Sequence, residues 1–110
     1  MRKIYISGKI TDLDPEVVEK NKQKFYDAEN FLKDKIPDAI IYNPVEIGRR
    51  ADDYIDYLTY RQILYLVMDY LWQSDTIYML KGWEESPGAQ AEYALAKAIK
   101  LEIIYECNEL

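Results

Sequence analysis

The sequence predicts an α/β fold in which a four-stranded parallel sheet carries helices on both faces. Three observations lead there. Four short apolar runs, rich in β-branched and aromatic residues, alternate with stretches of helical character. Their order, βαβαβαβ, suits parallel strands joined by helical crossovers and does not suit hairpins. The chain has 110 residues, 49% of them apolar, which bounds it to a single domain spanning 1–110 with one continuous core.

The elements follow in order. Lys3 to Ser7, closed by Gly8, reads as the first strand. Asp14-Pro15-Glu16 opens a helix with a capping aspartate, a proline at the first position and an acid in the first turn. Val18, Phe25, Ala28 and Leu32 mark its apolar face, and it stops before Pro37. Ala39 to Tyr42 is the second strand, ended by Asn43-Pro44, a turn signal, with a loop through Gly48. From about Ala51 to Gln73 neither proline nor glycine interrupts, and one long helix is expected. Ile55, Leu58, Gln62, Tyr65 and Trp72 mark one face of it, and Ile63, Leu66, Val67 and Leu71 widen the apolar surface. Asp75 to Leu80 is the third strand, and a polar loop, 81–88, follows. Ala89 to Ile99 is an alanine-rich helix, Leu101 to Tyr105 the fourth strand, and 106–110 a short tail.

Composition removes several functional classes. Fourteen basic against twenty acidic residues leave a net charge of −6, which argues against a nucleic acid polymer as partner. A small anion is still compatible, because a helix N-terminus holds phosphate without net positive charge. Histidine is absent, which removes Ser-His and Cys-His catalysis and the commonest zinc sites. The lone cysteine, Cys107, forms no internal disulfide, so a reducing, cytoplasmic setting is expected. The apolar run at the N-terminus is too short for a signal peptide, and none reaches the length of a membrane span.

In open parallel sheets, ligands bind beyond the carboxyl ends of the strands, near the switch in strand order. The loops there follow Ser7, Asn43 and Leu80. Ser86-Pro87-Gly88 stands where the third strand gives way to a helix, so free N–H groups and the helix dipole face that loop. Ser86 either caps the helix or binds a phosphate oxygen, and Gly88 lets a ligand approach the backbone. Glu92 is a lone carboxylate among alanines near the same helix start, where it stays ionised even if partly buried and suits attack on a sugar carbon; the alternative is an ordinary solvated glutamate. Tyr5 either packs in the core or holds Glu92 in position. Ser7 offers a hydroxyl, Gly8 a tight turn and Lys9 a charge, in a loop too poor in glycine for a dinucleotide fingerprint. Glu84 and Glu85 are proton donors only if their pKa values rise, and solvation is the plainer reading of both. Trp83 either stacks on a base or covers the core. Asp75 stands at the far edge of the sheet from these loops.

Tyr5-Ile6-Ser7-Gly8-Lys9-Ile10, Asn43-Pro44, the run from Asp75 to Leu80, and the run Gly82-Trp83-Glu84-Glu85-Ser86-Pro87-Gly88-Ala89-Gln90-Ala91-Glu92 together resemble a family of small bacterial and phage proteins. That family is similar to the nucleoside 2-deoxyribosyltransferases and the 2'-deoxynucleoside 5'-phosphate N-hydrolases. The resemblance covers almost the whole chain and implies a flavodoxin-like three-layer sandwich. It implies Glu92 as the nucleophile at the anomeric carbon, Tyr5 as the residue that contacts it, and Ser86 as a phosphate ligand that favours a nucleoside monophosphate. Ser7, Gly8, Lys9 and Ile10 match the loop that holds sugar and phosphate. Two positions depart from the pattern: Val67 stands where those enzymes carry a catalytic aspartate, with Asp69 two positions on, and Thr11 stands where the hydrolases carry an arginine.

The expected function is therefore cleavage or transfer of an N-glycosidic bond, with Glu92 attacking C1' and Asp69 or Glu84 protonating the leaving base. Paired carboxylates of a retaining mechanism stand about 5 to 5.5 Å apart. No metal and no cofactor is required. The alternative is a nucleotide-binding module that has lost turnover. A homo-oligomer, a dimer or larger, is expected from the relatives, with the tyrosine-rich helix 51–73 as a candidate interface.

Overall fold

The computed structural model describes residues 1–54 and 60–106. Ile55, Leu58, Cys107 and the end of the tail lie outside the described residues. The elements are β1 (Lys3–Ser7), α1 (Pro15–Lys35), β2 (Ile40–Tyr42), α2 (Pro44–Tyr54), α3 (Tyr60–Gln73), β3 (Thr76–Met79), α4 (Pro87–Ala98) and β4 (Glu102–Tyr105), with a 3-10 turn at Trp83–Glu85. The four strands form one parallel sheet in the order β2-β1-β3-β4, so the fold is the expected flavodoxin-like α/β sandwich. Tyr5 aligns with Tyr42 on one side and Ile77 on the other, which makes β1 a central strand. The chain leaves β1 for β2, then crosses back past β1 to β3, so the strand order switches between β1 and β3.

Side-chain alternation along β1 divides the core in two. Ile4 and Ile6 pack with Phe25, Ala28 and Leu32 of α1 on one face. Tyr5 packs on the other face with Val67 and Leu71 of α3 and Ala96 of α4. Because Tyr5 is on that second face, Ser7 is as well, and both look toward α4.

The predicted start of α1 is correct in detail: Asp14 Oδ1 accepts from the Glu16 backbone N–H at 2.9 Å and Pro15 opens the first turn. Asn21, not Val18, joins Phe25, Ala28 and Leu32 on its buried face.

Two expectations are corrected. Asn43-Pro44 is not a turn leading into a loop; it begins α2, because Asn43 Oδ1 accepts from the Val45 N–H at 3.0 Å and its carbonyl accepts from Ile47 N–H. Gly48 is thus helical. The expected face of α3 is also wrong where it is described. Gln62 is exposed, and Tyr65 and Trp72 are 81% and 62% exposed, while Val67 and Leu71 are the buried pair. The helix is apolar on most sides, so period alone did not select the face that meets the sheet.

Candidate active site

At the carboxyl ends of β1 and β3 lies a cavity of about 210 Å³. Glu92 of α4 and Tyr5 of β1 contribute to its floor, and Ile63, Leu64 and Val67 of α3 form one wall. Gly8, Ile10 and Thr11 follow β1 along the rim, Pro44 enters from the start of α2, and Ser86, Gly88 and Ala89 bring the first turn of α4.

Glu92 is 6% exposed, in a helix whose other buried residues are Ala89 and Ala96. Each carboxylate oxygen has its own hydroxyl donor. The Tyr5 hydroxyl donates to Oε2, and Ser7 Oγ donates to Oε1 at 2.8 Å. Both donors come from one face of one strand, two residues apart, so β1 works as a rigid two-pronged clamp. Burial pushes the Glu92 carboxyl up to about 7, against the pull of the two hydroxyl donors. Near neutral pH the group is therefore divided between its acid and its carboxylate, unlike the steadily ionised group expected from its place near a helix start. Burial, the Glu92 charge and their hydrogen bond push the Tyr5 hydroxyl well above the ordinary tyrosine range, so it stays a donor.

Ser86 caps the helix, its Oγ accepting from the Ala89 N–H at 3.2 Å, and also faces the cavity. Gly88 lies in the same first turn, where N–H groups lack intrahelical acceptors. Gly8 is needed for closeness and not for turn geometry: a Cβ there would meet the Leu80 side chain at 2.9 Å, whereas Gly82 is the glycine with positive φ among the described residues, at 86°.

Other expected residues stand elsewhere. Asp69 is exposed and accepts from Gln73 Nε2 at 3.1 Å. Val67, two positions back, lines the cavity instead, since two helical positions turn a side chain by about 200°. Asp69 is thus no partner of Glu92. Lys9 turns away from the cavity, into ion pairs with Asp12 and Glu85 at 3.6 Å each. Trp83 stacks on Tyr93 with ring centroids 4.4 Å apart and packs against the core, so it covers the core. Glu84 is exposed, and its carbonyl accepts from the Gln90 side chain. Asn43 is buried, donates to Glu29 Oε1 at 3.1 Å and belongs to a groove beside β2. Asp75 ties down the far end of the sheet by accepting from the Lys3 N–H at 3.0 Å. Sequence reasoning missed Pro44, Ile63, Leu64 and Ala89. The apolar spacing 63, 64 and 67 was the available signal for the α3 wall.

Among the described residues, Glu92 is the one carboxylate lining this cavity. No cluster of three or more His, Cys, Asp or Glu that could hold a metal occurs among them. No helix among them is long and apolar enough to cross a membrane.

The fold and cavity define a small doubly wound α/β protein whose candidate site is a buried, hydroxyl-clamped glutamate at the switch in strand order. The chain belongs to the family described as a domain of unknown function (DUF4406), whose model matches residues 2–105. Comparison with the curated proteins finds no match.

Proposed function

We propose that the protein cleaves or transfers the N-glycosidic bond of a deoxynucleoside or its 5'-monophosphate, with Glu92 as nucleophile. The observation that carries this reading is the pair of hydroxyl donors, Tyr5 and Ser7, on a buried carboxylate inside a cavity. They leave the carboxylate oriented and supply the hydrogen bonds an anion requires out of water.

In the reaction, a Glu92 carboxylate oxygen bonds to C1' as the bond from C1' to the base nitrogen breaks. The bonding pair leaves on the base, which takes a proton from water, because no second carboxylate lines the cavity among the described residues. Water then cleaves the glycosyl ester, or a second base takes the sugar. Ser86 and the Gly88 N–H offer hydrogen bonds to a 5'-phosphate at the positive end of α4. Of the wider reading, the exposed Tyr65 and Trp72 of α3 support assembly with a second copy, and the lone Cys107 supports a reducing, cytoplasmic setting.

The test is to incubate the protein with each 2'-deoxynucleoside monophosphate, follow free base by chromatography, and look by mass spectrometry for a sugar adduct on Glu92. Wild type should release base and Glu92→Gln should not. A nucleotide-binding module without turnover is the second reading, favoured by Val67 in place of an acid on the cavity wall. Saturable monophosphate binding with no base from either protein would select it.

A further inference from the structure

On the α1 side of the sheet, away from Glu92, a crevice of about 150 Å³ collects three lysines: Lys9 after β1, Lys24 of α1 and Lys81 after β3. The three lysines stand together in a chain of net charge −6, with Asp12, Glu85 and Glu106 as the neighbouring acids. Lys24 and Lys81 form no ion pair among the described residues. Lys9 pairs with both Asp12 and Glu85 at 3.6 Å, the long end of the ion-pair range, so its ammonium is shared between two carboxylates. Glu85 is the one acid lining the crevice; Glu106 stands close by, accepting from the Lys81 backbone N–H at 2.8 Å. Asn21, buried at the same place, donates its amide to the Ile10 carbonyl at 3.2 Å. Gly82, with its left-handed turn, opens the backbone on the remaining side. Gly8 and Leu80, pressed together, separate this crevice from the Glu92 cavity.

We propose that this three-lysine crevice is a binding site for a phosphate group, distinct from the Glu92 cavity. Its size suits one tetrahedral oxyanion and not a whole nucleotide. Three lysines lining one crevice, each with a compact charge and rotatable donors, match such an anion. The bound anion would outcompete the loosely held Glu85 for Lys9, and so act on the two loops, Gly8–Lys9 and Glu85–Ser86, that also border the Glu92 cavity. The phosphate is either a free anion or the end group of a larger molecule; the chemistry is shared.

The experiment titrates inorganic phosphate, and separately methyl phosphate, into the 15N-labelled full chain at constant ionic strength. Saturable amide shifts centred on Lys9, Lys81 and Gly82 are expected. The double variant Lys24→Glu with Lys81→Glu should weaken them by about tenfold or more, and Glu92→Gln should leave them unchanged. Response to both probes assigns a terminal phosphate group, and response to inorganic phosphate alone assigns the free anion. The spectrum itself reports whether the double variant is folded; if it is not, Lys24→Gln with Lys81→Gln takes its place and should weaken binding in the same direction. The proposal is overturned by shifts that never saturate, by shifts centred on Ser86, Gly88 and Ala89 that Glu92→Gln alters, or by undiminished binding in the folded lysine variants. Base release is measured apart from these titrations, so failure of the glycosidic reading leaves this result standing, and the reverse.

Discussion

Tyr5 and Glu92, 87 residues apart in sequence, are joined by a buried hydrogen bond from the tyrosine hydroxyl to the carboxylate. The link runs from the central strand to the helix after β3 and closes the bottom of the cavity. Several measurable properties depend on it.

Stability should fall with pH across the range where Glu92 ionises. Its carboxyl sits near 7 in the folded chain against an ordinary 4.5, so between those values the folded state binds the extra proton. Stability is full below about 4.5 and is lost as pH rises through about 7, by an amount on the order of 3 kcal/mol. Glu92→Gln removes that slope. Urea midpoints measured at pH 5 and pH 8 should converge in the variant, which should be the more stable protein at pH 8. A wild type with a flat profile would contradict the burial argument.

The clamp should tune the same carboxylate. Both hydroxyl donors favour its ionised form, so Tyr5→Phe or Ser7→Ala should raise its pKa further. If base release requires the carboxylate, the acid limb of its pH profile should move to higher pH by about one unit in each variant. Kinetics across pH 5 to 9 read this directly, and a change in rate with no movement of the limb would assign the hydroxyls another role.

Asp69 should be dispensable. It faces solvent and, among the described residues, bonds to Gln73 along its own helix. Asp69→Ala should leave base release within about twofold and stability within about 0.5 kcal/mol. A hundredfold loss would return it to the chemistry and require α3 to be repositioned.

Gly8→Ala should destabilise by about 1 to 3 kcal/mol, since the added methyl meets Leu80 at 2.9 Å. Leu80→Gly, which also removes the Leu80 Cβ that stands at 2.9 Å, should cost stability alone and relieve the clash in combination. A double-mutant cycle by denaturation should therefore show strong coupling between the two positions, and additive effects would refute the contact.

The architecture was legible because each strand kept its residue type and each α1 boundary its cap. Asp14-Pro15 and Asn43-Pro44 show how thin the margin is. Both pairs start helices by the same chemistry, a side-chain oxygen on a following N–H, yet Asn43-Pro44 also carries the signature of a turn. The partnership of Tyr5 with Glu92 was one of two readings of its place beside the third-strand loop and was also implied by the resemblance, and Ser7 was expected at the site without its bond to Glu92. Lys9, Trp83 and Asp69 were placed at the site from position along the chain, but side-chain direction decides membership. Lys9 follows Gly8 out of the cavity, Trp83 finds a ring partner in Tyr93, and Asp69 sits half a helical turn from Val67.

The alternation along β1 has a last consequence. A slip of that strand by one residue would exchange Tyr5 and Ser7 for Ile4 or Ile6 opposite α4, and every oxygen contact to Glu92 would vanish at once. Misthreaded molecules would bury an acid among hydrocarbon with nothing to satisfy it, a penalty that disfavours them during folding. The same three side chains thus serve as a proofreading check on how the chain is threaded, so any chemistry they perform is confined to molecules assembled in the correct alignment.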